Sequence, residues 1–346
     1  MNSIGDLRVG VVGAGKMGLL HSGIFNCIKG SKLVAISDKD KFIIGALKNY
    51  LSINVYQNYE EMIDKENLDI VINTTPVFIH REVIEYSMKR NLSIFVEKPL
   101  AINGYECSSI LRNGYSAETM VGYYRRFIKT YNLAKEIIVN GDLGKVNHFT
   151  SHILVSQVFK EGKNWLYNPK MSGGGVLIDL GSHAIDLFHY LFGNVSNLCA
   201  FAKPIFNKQV EDCGLINLQF KNGILGSLHA SWSIRNYRLP ELKIEIHLDK
   251  GVITATEKYI TIFSEVDCNS VRKGWTTLHK QDLTHDVPIN IAGPEYTLED
   301  SHFVDCVTNN KRTICNFNEA AKTNFVLDKI YSSMKEGRIE RIIYEG

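Results

Sequence analysis

The sequence of 346 residues has no paired cysteine motif, no long apolar run and no large excess of charge. Its seven cysteines are scattered singly, which fits reduced thiols better than a disulfide framework and favours a cytoplasmic location. No stretch approaches the roughly 20 apolar residues of a membrane span, and the sequence predicts no signal peptide. The net charge of +2 includes no basic patch, so we expect neither nucleic acid nor a membrane as partner.

The order of the apolar segments predicts two domains, residues 1–124 and 125–346, because a single core stops growing at roughly 250 to 300 residues. In the first, short β-branched runs alternate with helical periods, which is typical of βαβ units and a parallel sheet. In the second, after a helix that ends at Asn140, long alternating runs indicate an antiparallel sheet with a hairpin turn in "FKNGIL". Two helices, near 297–309 and 318–336, finish the chain. The predicted fold class is α/β, followed by an α+β domain.

A glycine-rich loop follows the first predicted strand. In "VGVVGAGKMG" the spacing is G-x-G-x-x-G and a helical pattern begins at the loop. The first glycine allows a tight turn, the second lets the backbone approach a pyrophosphate, and the third permits close packing. A helix N-terminus at this point offers free N–H groups to the phosphate. The loop therefore predicts a dinucleotide site that includes Gly13, Gly15, Lys16, Met17 and Gly18, together with Asp38 about twenty residues later.

Asp38 bears on the choice between NAD and NADP. A carboxylate at the end of the second strand accepts hydrogen bonds from the adenosine ribose and repels a 2′-phosphate, which favours NAD. Ser37, Lys39 and Lys41 keep NADP open, because a hydroxyl and ammonium groups suit a phosphate. A helix N-cap is the structural alternative for Asp38.

Polar groups also follow two later strands, in "INTTPVFIH" and "IFVEKPLA". The carboxyl ends of parallel strands are where open α/β sheets bind ligands. A lysine is costly to bury there unless a partner or a task keeps it, although snorkelling to the surface beside Glu97 is the alternative. We expect His80 to line the loop rather than to react. The crevice is predicted to include Thr74, Thr75, Pro76, His80, Glu97 and Lys98.

The segment from Ser172 to Gly193 is predicted to form an amphipathic helix with ionisable groups on one stripe, namely Asp179, His183, Asp186 and Tyr190. Gly181 lies on the apolar side, where glycine costs about 1 kcal/mol relative to alanine unless backbone comes close. We therefore expect the helix to press onto its sheet at Gly181 and to aim the stripe at the cleft. A solvated face is the bland alternative. A metal site is not predicted, because a further strong ligand at recognisable spacing is missing.

The assembled motifs resemble those of the glucose-fructose oxidoreductase/inositol dehydrogenase (Gfo/Idh/MocA) family over essentially the whole length. They are "GAGKMG", "TTPVFIH", "EKPLA", "YYRRF", "NGDLGKV" and "NWLYNPKMSGGGVLIDLGSHAIDL". The resemblance implies a Rossmann domain, then a domain with a large, open-faced, mostly antiparallel sheet. It also implies NAD(P)-dependent oxidation or reduction of a sugar, cyclitol or nucleotide-sugar hydroxyl. Lys98, Asp179 and His183 would be the catalytic set, and the Lys98–Pro99 bond is allowed to be cis.

In the mechanism that these residues suggest, His183 takes the hydroxyl proton, because imidazole titrates near operating pH. Lys98 would hydrogen-bond the reacting oxygen, and Asp179 would hold a neighbouring hydroxyl or orient the imidazole. Tyr124 replaces a smaller polar residue of many relatives. Arg125 and Arg126 are candidates for binding an anionic group, and a pair of surface charges at the start of a helix is the alternative for both. For Trp165 the alternative is a core or turn role. The candidate substrate contacts are Lys98, Tyr124, Arg126, Trp165, Asp179 and His183.

Two other functions stay open at this point. Some members of the resembled family are regulators that bind the dinucleotide without catalysis, although these would be expected to lose the lysine or the histidine. An NAD-dependent glycoside hydrolase of the same fold would instead release an aglycone without net formation of NADH. In each case the exposed face of the C-terminal sheet predicts a homodimer or homotetramer, because a large bare sheet face is an association surface.

Overall fold

Two β-sheets organise the computed structural model, which describes residues 5–50, 52–268, 271–284 and 286–344. The first is a six-stranded parallel sheet with helices on its faces, and the second is a nine-stranded sheet. This confirms the predicted fold class.

The first sheet has the strand order β3-β2-β1-β4-β5-β6, so the order reverses between β1 and β4. Crevices at such a reversal are where open α/β sheets bind ligands. The strands are β1 (Leu7–Val12), β2 (Ser31–Ser37), β3 (Asn54–Tyr56), β4 (Ile70–Asn73), β5 (Ser93–Glu97) and β6 (Thr119–Gly122). The helices between them are α1 (Lys16–Phe25), α2 (Lys41–Tyr50), α3 (Tyr59–Lys65), α4 (Val77–Met88) and α5 (Gly104–Arg112).

The central strands of this sheet are apolar on both faces. In β4 and β5, Ile70, Val71, Ile72, Ile94 and Phe95 are all fully buried. Continuous β-branched and aromatic runs of this kind are typical of parallel strands that helices cover on both sides. The polar residues that follow these strands are therefore held at a rigid edge.

The chain enters the second sheet through α6 (Lys129–Asn140), which ends at Gly141 with a positive φ of 70°, as the sequence predicted. Two short helical turns at Tyr124–Phe127 and Trp165–Tyr167 and a π-helical turn at Leu177–Gly181 lie in this part of the chain. The other elements are β7 (Val146–Leu154), α7 (Pro169–Ser172), α8 (Ser182–Phe192), β8 (Val195–Lys203), β9 (Cys213–Phe220), β10 (Leu225–Ser231), β11 (Glu241–Leu248), β12 (Gly251–Ala255), β13 (Tyr259–Ser264), β14 (Gly274–His279), α9 (Lys280–Leu283), α10 (Pro294–Asn309), α11 (Phe317–Glu336) and β15 (Glu340–Arg341).

The second sheet is mostly antiparallel, in the order β14-β13-β12-β11-β7-β10-β9-β8-β15, with β7 and β10 parallel. The predicted hairpin is present, since β9 and β10 pair antiparallel around the "FKNGIL" turn. One face is buried: along β11, Leu242, Ile244 and Ile246 point into the core between more exposed residues. Alternation of this kind leaves the other face of the sheet open.

The last two long helices pack beside the first sheet. Phe303 and Val304 of α10 belong to the core around β1 and α1, and Phe325 of α11 belongs to the core beside α5. The division at residue 124 stays a prediction, because residues from the end of the chain complete both of these cores.

No helix in the described ranges is long and apolar enough to cross a membrane. The seven cysteines are all free thiols, and Cys107, Cys306 and Cys315 are buried. Among the described residues, no group of three or more His, Cys, Asp or Glu side chains is arranged to hold a metal ion.

Candidate active site

A cleft of about 930 Å³ lies at the carboxyl ends of β1, β2, β4 and β5. The opposite wall comes from the segment that precedes α8. The lining includes most of the residues expected from the sequence, namely Gly13, Gly15, Lys16, Met17, Asp38, Thr74, Thr75, Pro76, Glu97, Lys98, Trp165 and Asp179. The volume is in the range of cofactor-sized sites.

The three glycines of the loop have the three different geometries that the motif requires. Gly13 has a φ of 95°, which favours glycine. A Cβ at Gly18 would collide with the Gly13 carbonyl and lie 2.8 Å from Thr74 Oγ1, so the turn closes tightly there. Within the described part of the chain, a Cβ at Gly15 would meet nothing within 4 Å, and no side chain caps the start of α1. The open side of Gly15 and the uncapped N–H groups of α1 therefore fit a pyrophosphate.

Asp38 links the second strand to the loop. Its Oδ2 accepts a hydrogen bond of 2.7 Å from the Ala14 N–H, and its Oδ1 accepts one of 2.8 Å from the Asp40 N–H. Asp40 accepts from Phe42 N at the start of α2, so Asp40 rather than Asp38 acts as the helix cap. The carboxylate of Asp38 is thus fixed at the cleft, where it would oppose a second anionic group.

Lys98 lies in the cleft in an ion pair with Asp179. Its Nζ is 2.8 Å from Asp179 Oδ1 and donates a further hydrogen bond of 3.0 Å to the Asp179 carbonyl. The two side chains keep 18% and 23% of their exposure, so both remain open to the cleft. The Lys98–Pro99 peptide bond is cis, as the family resemblance allowed. Lys98 is therefore held by a partner and does not snorkel beside Glu97.

His183 lies one helical turn after Asp179 and keeps 7% of its exposure. Its ring faces the edges of Tyr123 and Tyr124, at centroid distances of 6.0 and 5.4 Å. Its Nδ1 is buried and has no hydrogen-bond partner among the described residues. Burial lowers the pKa of His183 well below 6.5, and the charges of Arg125 and Lys98 lower it further. The imidazole is neutral near pH 7 and able to accept a proton.

Residues 7–124 match the oxidoreductase family with an NAD-binding Rossmann fold, and residues 131–254 match the Gfo/Idh/MocA C-terminal domain. The chain belongs to the Gfo/Idh/MocA family. It therefore carries the NAD-binding Rossmann domain of a family of oxidoreductases.

Curated relatives support this assignment along most of the chain. The myo-inositol 2-dehydrogenase of Thermotoga maritima is 27% identical over 259 residues, which are 72% of this chain and 75% of that enzyme. The scyllo-inositol 2-dehydrogenase (NAD(+)) of Bacillus subtilis is 26% identical over 324 residues, 89% and 88% of the two chains. Levoglucosan dehydrogenase in complex with NADH and levoglucosan superposes with a TM-score of 0.89 at 21% identity and covers 98% of this chain and 100% of its own. At that identity the last likeness shows the fold.

Two residues of the predicted cofactor set lie behind the cleft and are not part of its lining. Gly18 packs against the loop carbonyl of Gly13. His80 is buried between two backbone carbonyls, with Nε2 2.9 Å from Thr75 O and Nδ1 3.0 Å from Pro99 O. His80 thus ties two strand ends together. Burial is the largest influence on its pKa and lowers it.

The four side chains of the predicted ionisable stripe do not all face the cleft. Asp186 forms a buried, two-bonded ion pair with Arg126, at 2.9 and 2.7 Å, and Tyr190 donates to Asn132 at 3.2 Å, away from the cleft. The expectation that the whole stripe faces the cleft is wrong. A helix advances 1.5 Å per residue, so later turns move away, and the π-helical turn at Leu177–Gly181 departs from 100° per residue.

Close packing occurs near the predicted place but at other glycines. A Cβ at Gly181 would find its nearest neighbours at 3.7 Å, which is ordinary contact, so the prediction for Gly181 is wrong. Added Cβ atoms at Gly174 and Gly175 would instead collide with the Tyr331 hydroxyl and the Glu211 carbonyl. The close contacts of backbone with neighbouring residues therefore lie at Gly174 and Gly175, just before the helix begins. Nothing in the structure explains the glycine at position 181.

The predicted substrate contacts have different environments. Arg126 is buried, and it also donates to the Ile314 carbonyl at 2.6 Å, so its guanidinium is not available to an anionic substrate and that expectation is wrong. Arg125 is buried too and pairs with Glu257 at 3.1 Å, so the same correction applies to it. Tyr124 stacks on Tyr296 at 4.6 Å and borders His183. Trp165 lines the cleft 6.2 Å from the ring of Phe78. Tyr124 and Trp165 stay predictions as substrate contacts.

Sequence reasoning missed Glu211, which is buried and organises the start of the helix. Its Oε1 accepts hydrogen bonds from Gly175 N at 2.9 Å, from Leu177 N at 3.0 Å and from the Tyr331 hydroxyl at 2.8 Å. It thus satisfies N–H groups that open the helix. No local pattern marks Glu211, because its contacts are 34 or more residues distant.

His21 was also missed. It is an ionisable side chain on the buried face of α1, three residues after the last glycine of the motif, and it is fully buried. Its position inside the glycine-loop helix was the available signal.

Proposed function

We propose that this chain is an NAD-dependent dehydrogenase that transfers a hydride between the nicotinamide and a secondary hydroxyl or ketone of a sugar, cyclitol or nucleotide sugar. The observation that carries the proposal is the Lys98–Asp179 pair, which lies in the same cleft as the glycine-rich loop. A neutral His183 follows one turn later. The names of the inositol dehydrogenase relatives support this substrate class.

The residues present fit the dinucleotide. When bound, NAD supplies the hydride acceptor, and the protein supplies position and the route of the proton. The uncapped N–H groups at the start of α1, from Gly15 to Gly18, would hold the pyrophosphate, and Asp38 would hold the adenosine ribose. Thr75, Pro76 and Glu97, at the ends of β4 and β5, would border the nicotinamide half. Lys39 also lines the cleft, which keeps NADP as the second candidate.

For the proton, His183 accepts at Nε2, since Nδ1 is buried. Lys98 donates from Nζ to the reacting oxygen and stabilises the alkoxide that develops there. Burial, Arg125 and, to a smaller extent, the same ammonium keep the pKa of His183 low, so the base is neutral before the reaction. Asp179 orients Lys98 and accepts a hydrogen bond from a neighbouring hydroxyl of the substrate.

The outer face of the second sheet is the surface through which we propose that copies of the chain associate as a homodimer or homotetramer. Nine strands spaced about 4.8 Å apart make a face about 40 Å wide. Trp275 is 72% exposed and Phe201 67% exposed, and Phe201 pairs in register with the exposed Leu215. Aromatic groups on a sheet of this size suit an interface of about 800 Å² per partner.

The function is tested by following NADH formation with inositols, free sugars and nucleotide sugars, each with NAD and with NADP. We expect turnover with a member of one of these classes and a preference for NAD. Free aglycone from a glycoside without net NADH would instead indicate the hydrolase. Tight NAD binding with no turnover in any class, in both directions, would indicate a regulator and refute the dehydrogenase.

A further inference from the structure

A buried row of ionisable side chains lies beneath the Glu-Lys-Pro turn. His21 of α1 is fully buried, and its Nδ1 is 3.0 and 2.9 Å from the two carboxylate oxygens of Asp300 in α10. Its Nε2 is 3.1 Å from Oε1 of Glu97 at the end of β5. Three distant parts of the chain therefore meet at one imidazole.

The geometry favours the charged form of His21. Both ring nitrogens face carboxylate oxygens, and the imidazolium is the form with two N–H groups that can donate to both carboxylates. The titratable groups that face it are Glu97 from β5 and, from α10, Asp300, Glu299 and Tyr296. Burial alone would lower the pKa of His21, but Asp300 and Glu97 raise it well above 6.5.

Glu299, beside Asp300, does not supply a second counter-charge. It is buried, and neither carboxyl oxygen has a partner among the described residues. Burial raises its pKa well above 4.5 and so favours its neutral form. Burial raises the pKa of Asp300 too, but the charge and hydrogen bond of His21 oppose this shift, so Asp300 is the carboxylate that fixes the inner side of His21.

Glu97 carries the connection from His21 to the cleft. One carboxylate oxygen meets His21, and the other accepts a hydrogen bond of 3.1 Å from the backbone N–H of Lys98. Lys98 in turn reaches Asp179 through Nζ. Because both oxygens of Glu97 are engaged, the orientation of the turn that presents Lys98 depends on the imidazole behind it.

We infer that His21, as an imidazolium fixed by Asp300, is a positioning residue that holds Glu97 and through it the turn that places Lys98 in the cleft. The inference rests on the proposed function for its effect on turnover. It assigns α10, a helix from the C-terminal part of the chain, a role in the geometry of the reacting end of the cleft.

The substitution Asp300→Asn tests this inference, since it keeps the shape and an acceptor but removes the charge. The pKa of His21 then falls, so the imidazolium is retained at low pH and lost as the pH rises through the lowered value. Relative to the unchanged protein, we expect kcat near normal at pH 6 and about tenfold lower at pH 9, as for a slightly misplaced catalytic group. KM should change less than threefold.

Asp305→Asn is the matched control, because it makes the same change on the same helix at an exposed carboxylate. Its pH profile should follow that of the unchanged protein. A uniform loss of kcat at all pH values in Asp300→Asn would indicate a merely structural role and overturn the inference.

Nitrogen-15 NMR of the unchanged protein at pH 8 tests the charge without any turnover. We expect the His21 ring, assigned from the resonance that Asp300→Asn shifts, to show two protonated nitrogens, and a neutral ring would refute the inference. The two proposals fail separately. Absence of turnover with an imidazolium at His21 counts against the dehydrogenase, whereas normal turnover with a neutral His21 counts against the positioning role.

Discussion

Replacing Lys98 by methionine separates the two roles of its ammonium. The side chain keeps its length, but the contacts of 2.8 and 3.0 Å to Asp179 disappear together with the donor to the reacting oxygen. Loss of one preorganised donor costs about 3 kcal/mol of transition-state stabilisation, or about 10² to 10³ in kcat. The charge loss also acts on His183, whose pKa then rises toward 6.5, although burial and Arg125 still hold it lower.

The assay is initial-rate NADH formation between pH 5 and 9, with NAD affinity measured by fluorescence titration. A base works only when it is neutral, so a higher pKa moves the acid limb of the kcat profile to higher pH. We expect both effects in Lys98→Met, with NAD affinity changed less than threefold. Lys65→Met, on the surface in an ion pair with Glu61, is the control. Near-normal kcat in Lys98→Met would refute the role of Lys98.

Four further substitutions test other parts of the molecule. Gly18→Ala should lower the melting temperature, because its Cβ collides with the loop, whereas Gly15→Ala should leave it unchanged and weaken NAD binding; equal melting temperatures would contradict this assignment. Asp38→Asn keeps the acceptor for the Ala14 N–H and removes the charge. We therefore expect the ratio of kcat/KM for NADP to kcat/KM for NAD to rise about tenfold, which corresponds to about 1.4 kcal/mol. An unchanged ratio would count against the role of Asp38. Trp275→Arg should reduce the molar mass seen by light scattering, and an unchanged mass would remove the outer sheet face as the interface.

Local patterns were enough to predict the elements and the cofactor half of the site. The glycine spacing, the β-branched runs and the turn residues each act over a few neighbours, and the two final helices appear at Pro294–Asn309 and Phe317–Glu336, near the predicted ranges. The glycine loop and Asp38 meet because parallel strands end at one edge. Their positions follow from chain order alone.

One wrong prediction and one missed residue concern partners that are distant in sequence. Arg126 was predicted to meet a substrate, but its position is decided by Asp186, 60 residues away. His21 and Asp300 are separated by 279 residues, and no spacing rule connects them. The prediction for Gly181 was wrong for a different reason. It assumed a regular α-helix, whereas Leu177–Gly181 form a π-helical turn.

The packing of α10 has a consequence for dissecting the protein. Phe303 and Val304 fill the core that Leu20 and Ile24 of α1 form beneath the first sheet, and Asp300 neutralises the cation that α1 buries there. A chain truncated after residue 124 would lose both the apolar cover and the counter-ion. The cofactor-binding half is therefore not an excisable module, and domain swaps within such a scaffold need to carry α10 along with the first sheet.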